Sequence, residues 1–547
     1  MTTYRLIFSA FFSLLCTINL SAQQNDTIMQ AMVDELERNM VELKMEGHKK
    51  PFYISYGLFD GTTVNVSASL GGILYSASTP FRSKNVRVMV GDYNFNDESL
   101  NSQFEESFTY GFDFWSVPME NDYYGLRSSL WKSTDNIYKT AAKLYEEHLE
   151  LLNRKDSSAK DFEYRKFAKL PARELTIESQ QESVDAKMVE SLLRDVSSKF
   201  KTFPKITESN VYFNQNTSTF YFTDSEESRV KVSSQTNVLA FVANRITDQG
   251  ETVAVYDYLV SSKAEDLFNA ERIDKTINSL ISEMEKNINS RRFDESYVGP
   301  VLFLDEAVPS LFSNILYNFS TSDIKDANNA YLGPTNAKAI DHHIGSRIGS
   351  RSLTIKLTPR LEEYAGTSLI GAYHIDNEGV IPDEEIILLE NGIAKNVMTS
   401  RTLTKPTHKP TGTESGPGVV HISFDGESNE SNLREQLLEL ADEEGYDYGI
   451  IVRKMSNTNL LGVFKLNADG TEEYYRNALV NGFGQQFLRK VKNGLKEQNV
   501  YNIAGGSGVT SYIVPKGLLV KDVNIEPSSN QTKTEKPLVP NPLGFKK

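Results

Sequence analysis

A single cysteine, Cys16, stands in a chain of 547 residues, and it falls inside an apolar N-terminal stretch. Arg5 is the only charge before the run from Leu6 to Leu20, and Ser21-Ala22 offers small residues for cleavage, so residues 1–22 read as a secretory signal. The run is short for a membrane span, and polar sequence follows it at once. Lipid modification is the other use of such a cysteine, but Leu15 before it is bulkier than those sites accept. Removal of the signal removes the only thiol. The mature chain then has neither a disulfide nor a thiolate, and its fold must rest on hydrophobic cores alone. The expected location is periplasmic or secreted. The remaining length suits two or more domains, and no later segment is apolar enough to cross a bilayer.

The formal charge of −15 is not offset by any basic stripe, which argues against a phosphate-backbone binder and hence against nucleic acid as partner. The 26 Tyr and 29 Phe mostly alternate with polar residues, as on the faces of sheets. The mature chain opens with a helix: Asn25 and Asp26 are capping residues, and Ile28, Met32, Leu36, Met40 and Leu43 follow at helical spacing. Phe52–Tyr56, Val64–Leu70 and Val86–Val90 then read as a meander, punctuated by Gly57, Asp60-Gly61 and Gly71-Gly72. Residues 126–152 and 184–203 carry amphipathic helical patterns. Val211–Phe213 with Phe220–Phe222, and Val230–Val232 with Val238–Val242, read as two hairpins. Ile273, Ile277, Leu280, Met284 and Ile288 mark a further helix. From Gly299 the chain turns to short strands and glycines, with one clear helix at Leu433–Leu440. The expected fold class is α+β: an N-terminal α+β domain with antiparallel sheet over 23–295, a mostly antiparallel-β domain over 296–526, and a loose tail over 527–547.

Chemistry is sparse in these patterns. Seven histidines are present (His48, His148, His342, His343, His374, His408 and His421), and none stands in HExxH spacing, so that helical zinc clamp is absent. His148 at the edge of its helix face reads as a packing residue. His342 and His343 are consecutive and would point to opposite faces of a strand. His374, Asp376 and Glu378 alternate, so on a strand they would share a face; they are the best metal constellation readable from the residues, against a solvated strand ending in the turn Asn377-Glu378-Gly379. No GxSxG elbow is present. Gly505-Gly506-Ser507-Gly508 lacks a P-loop lysine and reads as a backbone turn.

A series of motifs in the second half resembles the TldD/PmbA (TldD/TldE) family. These are Val298-Gly299-Pro300-Val301-Leu302-Phe303 followed by Asp305-Glu306-Ala307-Val308, then Ile344-Gly345-Ser346-Arg347-Ile348-Gly349 and Leu353-Thr354-Ile355. Ile375-Asp376-Asn377-Glu378-Gly379-Val380, Leu388-Leu389-Glu390-Asn391-Gly392-Ile393 and Thr399-Ser400-Arg401 come next. Asn432-Leu433, Asp469-Gly470 and Val514-Pro515 with Val520 and Val523 complete the order. The resemblance implies a fold like that described above and a relation to zinc peptidases of unfolded peptides, in which a catalytic TldD type pairs with a PmbA/TldE subunit that lacks the metal. Zinc in the catalytic relatives is held by the two histidines of HExxxH and a later cysteine. Carried onto this chain, those positions fall on Asp305, Ser310 and Ser507, with the motif's glutamate at Glu306. The resemblance therefore implies a PmbA/TldE-like member with no cofactor of its own and a vestigial Glu306, favoured at a helix N-terminus by the dipole. Pro309 implies that a helix carrying 305–310 is interrupted or starts later. A TldD-like subunit or a second copy, and an unfolded or extended peptide, are the implied partners. Two alternatives accompany this reading: an active metallopeptidase using His374, Asp376 and Glu378 or one of His342 and His343, and an exported scaffold with no peptidase role.

Overall fold

The computed structural model describes residues 26–100, 110–113, 117–153, 165–179, 181–247, 250–320, 340–403, 405, 407–427, 429–456, 458–482, 484, 486–505, 508–528, 538–539 and 541–544. The signal reading over 1–22 lies outside them, as does Ser507. The fold is mixed α+β with mainly antiparallel sheets.

Helix α1 (Thr27–Glu42) starts where Asp26 accepts from the amides of Ile28 and Met29, satisfying two of the free N–H groups of the first turn. Its face of Ile28, Met32 and Leu36 packs with Leu126, Leu130 and Ala141 of α2 (Tyr123–Asn153) against Ile54, Tyr56, Val86 and Val88. Helices α3 (Ala186–Ser198) and α4 (Ala270–Asn289) cover Val64, Val66, Phe213, Leu239 and Phe241 farther along the same sheet.

That sheet is built from strands far longer than the sequence patterns imply. Pro51–Ser69 and Gly72–Val90 are each continuous, and only the Leu70-Gly71 turn divides them. Gly57 and Asp60-Gly61 do not end a strand. At Gly61 a Cβ would lie 2.1 Å from the Thr217 carbonyl of the neighbouring strand, so glycine there admits a close backbone approach. The two expected hairpins are likewise corrected. Glu208–Asp224 and Arg229–Ile246 are single strands, and their true partners are Phe213 with Leu239 and Phe220 with Val232. The run Asn214–Thr219, polar enough to read as a turn, lies mid-strand because its side chains bond across the sheet. Asn214 donates to Asn65, Gln215 donates to Asn237, and the hydroxyls of Ser218 and Thr219 pair with those of Ser234 and Ser233. Thr252–Ser261 pairs with Arg229–Ile246 alone among the described residues.

In the second half, Tyr448–Ser456, Tyr297–Leu304, Gly517–Pro527, Ala478–Asn481 and Asn459–Asn467 pair in succession, and the last returns to the first, closing a ring. Helix α5 (Ala307–Leu316) buries Val308, Leu311, Phe312 and Ile315 against this ring and a second sheet that contains Leu353–Leu357 and Val419–Phe424. Helix α6 (Glu430–Glu443) seals another face through Leu433 and Leu437. The second sheet ends on Gln498–Gly505, which pairs only with Gly508–Pro515 among the described residues. The segment expected to be a loose tail includes Asn541, whose amide donates to the Ile206 carbonyl at 2.8 Å, and a helical turn at Pro542–Gly544.

The two halves meet at a buried ionic junction. Arg401 is fully buried; it donates to Tyr53 (2.6 Å), to the Ala168 carbonyl (2.8 Å) and to Glu226 (2.7 Å). Arg87 bonds Glu98 through two nitrogens and Glu378 at 2.5 Å. Both guanidinium groups stack on the Phe167 ring, at 4.3 and 4.8 Å from its centre. Charges removed from water this far persist only with full sets of partners.

Candidate functional site

The expected metal constellation at 374–378 is not a strand and does not converge. The chain there forms a tight turn closed by the Gly379 amide on the Asp376 carbonyl, with Gly379 at φ +74° and no room for a Cβ beside Phe222. His374 turns outward to Glu362 at 2.9 Å. Asp376, buried, accepts from the amides of Glu378, Val380 and Glu414. Burial and the adjacent Glu378 charge push its carboxyl well above the ordinary range, although those amides oppose the shift. Glu378 gives one oxygen to Arg87 and the other to the Arg401 amide. These residues build the junction and hold the loop that follows. His342 and His343 are exposed in a turn rather than on a strand. His148 is buried against Phe95 and the Asn96 carbonyl, and its burial lowers its pKa and keeps the ring neutral.

The positions carried over from the resemblance lie around a cleft of about 760 Å³. The strand Tyr297–Leu304 ends at Asp305, whose φ of +52° turns the chain, and α5 begins two residues later. Pro309 is therefore the third residue of the helix, where an amide would have no intrahelical acceptor, and its ring costs no hydrogen bond. Asp305 leaves the cleft and pairs with Arg453 at 2.9 Å. Glu306, Pro309 and Ser310 line the cleft, and the Ser310 hydroxyl donates back to the Glu306 carbonyl at 3.0 Å. Gly505 and Gly508, which flank Ser507, line the opposite wall.

Glu306 is 52% exposed to the cleft, yet the walls hem it in closely enough that desolvation raises its carboxyl pKa. Beside it is Lys454, largely buried, which donates to the Tyr256 carbonyl (3.0 Å) and Glu283 (3.2 Å) and stands 3.8 Å from Glu306. Burial works against the Lys454 charge, but Glu306, Glu283 and Asp257 outweigh it and raise its pKa. Nothing in the sequence marks Lys454 or the Tyr256–Tyr258 edge, since a lysine on an apolar strand carries no motif.

A zinc ion does not fit this donor set. The described residues lining the cleft supply carboxylate, hydroxyl and carbonyl oxygen and the weak thioether sulfurs of Met398 and Met455, with no imidazole or thiolate among them. Of the three ligand positions, Asp305 is turned away, Ser310 is a hydroxyl, and position 507 is a serine in sequence.

The shape of the cleft is more informative. Tyr256, Asp257 and Tyr258 line it in succession, as do Tyr501 to Gly505. Neighbouring side chains on a strand point to opposite faces, so an unbroken run marks a wall made by the strand's edge. Both strands are terminal in their sheets among the described residues. The Ala504 backbone amide meets the Tyr258 hydroxyl between them.

The family model described as PmbA/TldA metallopeptidase C-terminal domain matches residues 295–526. No curated protein gives a significant match. Three solved structures share the fold. A Bacteroides thetaiotaomicron protein described as a modulator of DNA gyrase has a TM-score of 0.59 at 13% identity, covering 92% of this chain and 99% of that one. A Thermotoga maritima protein of similar description has 0.56 at 15%, covering 86% and 96%. TldE from Thermococcus kodakarensis has 0.53 at 13%, covering 91% and 100%. At these identities the structures speak for the fold alone, while the family model marks residues 295–526 as a C-terminal domain of the metallopeptidase-related PmbA/TldD type.

Proposed function

We propose that this protein is an exported, non-catalytic subunit of the PmbA/TldE type that holds an extended peptide in the cleft by strand addition and works with a TldD-like partner carrying HExxxH. The observation that carries the reading is the pair of strand edges, Tyr256–Tyr258 and Tyr501–Gly505, facing one cleft with no imidazole or thiolate among its described lining residues. Unpaired backbone groups on an edge bind extended peptides whatever their sequence. Export is supported by Arg5, the apolar run to Leu20 and the Ser21-Ala22 site. Among the described residues no helix is long and apolar enough to cross a membrane.

The purified chain is expected to contain no stoichiometric zinc by elemental analysis, to leave unfolded peptides intact, and to bind them. Addition of a TldD-like partner should give a complex that cleaves them. One zinc per chain, with peptidase activity lost on chelation, would refute the non-catalytic reading.

A further inference from the structure

Resting on the peptide-binding reading, the chemistry of the cleft walls specifies what the bound segment should carry. The ionisable carboxyl side chains lining the cleft are Asp257, Glu306 and Glu414, and no lysine or arginine lines it among the described residues. Of the neighbouring cations, Arg453 pairs with Asp305, and Lys454 gives its hydrogen bonds to Glu283 and the Tyr256 carbonyl while keeping only a longer ionic contact with Glu306. Glu306 at 3.8 Å from Lys454 is beyond hydrogen-bonding distance of that ammonium.

Around these carboxylates stand the rings of Tyr256, Tyr258, Tyr317, Tyr501 and Tyr512. Tyr317 is 64% exposed, a large aromatic surface left facing the cleft. Burial pushes the Tyr258 and Tyr501 hydroxyls up to about 12, so both rings stay neutral and present electron-rich faces. A cation–π contact already exists at this wall, where the Lys454 ammonium lies 5.2 Å from the Tyr256 ring centre.

We propose that the cleft selects extended segments bearing a lysine or arginine, whose cation seats among the tyrosine rings beside Asp257 and Glu306 while the peptide backbone pairs with the Tyr501–Gly505 edge. A cavity of about 760 Å³ has room for several residues of such a segment. An anionic side chain there would face two carboxylates within low-dielectric walls and be rejected.

The test uses octapeptides identical except for a central Lys, Arg, Gln or Glu, with dissociation constants read by fluorescence anisotropy on the full chain at pH 7.5. The Lys and Arg peptides should bind about tenfold tighter than the Gln peptide, and the Glu peptide weakest of all. The ratio of Lys to Gln affinity should fall toward one in Asp257→Asn/Glu306→Gln, and also in Tyr317→Leu, a change at an exposed position that keeps the fold intact. It should also shrink with added salt. Equal binding of all four peptides would overturn the selectivity while leaving the strand-addition cleft in place. Failure of every peptide to bind would overturn the cleft reading and this inference with it.

Discussion

Glu306, where the resemblance puts the motif's glutamate, has the Lys454 ammonium 3.8 Å away. Its folded carboxyl holds a proton more tightly than an unfolded glutamate, because burial among Asp257, Glu283 and Asp305 outweighs Lys454. Ionisation therefore opposes folding. That opposition is complete above the raised pKa and fades as pH falls toward the unfolded value of about 4.3. Glu306→Gln is accordingly expected to be more stable than the parent at pH 7.5, by less than about 1 kcal/mol for a half-exposed group. The gain should vanish near pH 4, as read from urea midpoints at the two pH values. A variant that loses stability at pH 7.5 would mean that the Lys454 contact dominates instead. The same scale explains the misreading of Asp376 and Glu378. Alternation of carboxylates with a histidine looks like a ligand set in one dimension, but Arg87 and the Arg401 amide, distant in sequence, claim both Glu378 oxygens.

At the level of elements, the strands of the first sheet diverge most from their one-dimensional signals, while the helix at Pro309 starts after residue 305 as the proline implied. Proline inside a helical pattern ordinarily costs about 3 kcal/mol, yet in the first turn it has no hydrogen bond to remove. Pro309→Ala should thus change stability by less than about 1 kcal/mol, mainly through the unfolded chain, in thermal melts followed by circular dichroism. A gain near 3 kcal/mol would show that the ring strains the helix. The helices were legible because one buried stripe per helix writes itself at i, i+3 and i+4: Ile28, Met32 and Leu36, or Ile273, Ile277, Leu280 and Met284, are buried as their spacing implies. Strand lengths were not. Asn214–Thr219 has the composition of a turn, and its strand conformation depends on partners such as Asn65, Asn237 and Ser234 that no local window contains.

For the whole molecule, the junction between halves decides where the cleft walls stand. Arg401 ties Tyr53, Ala168 and Glu226 of the first half to the segment that supplies Met398 to the cleft. Arg401→Ala would strip the buried Glu226 of its nearest cation, leaving Arg173 at 3.5 Å, and would remove the donors to Tyr53 and Ala168, so unfolding in urea should show a loss of about 3–5 kcal/mol. A loss under about 1 kcal/mol would mean that the halves are held by apolar packing alone.

The sequence by itself determined the α+β class, the helices, and the absence of imidazole and thiolate from the family's ligand positions, because helical periodicity and residue identity are local properties. Tertiary structure alone decided which strand edges stay unpaired and where the buried arginines find their carboxylates. It also decided that residues near 256, 306, 414 and 503 enclose one cleft, since these arrangements depend on contacts between groups from tens to hundreds of residues apart, which leave no pattern along the chain.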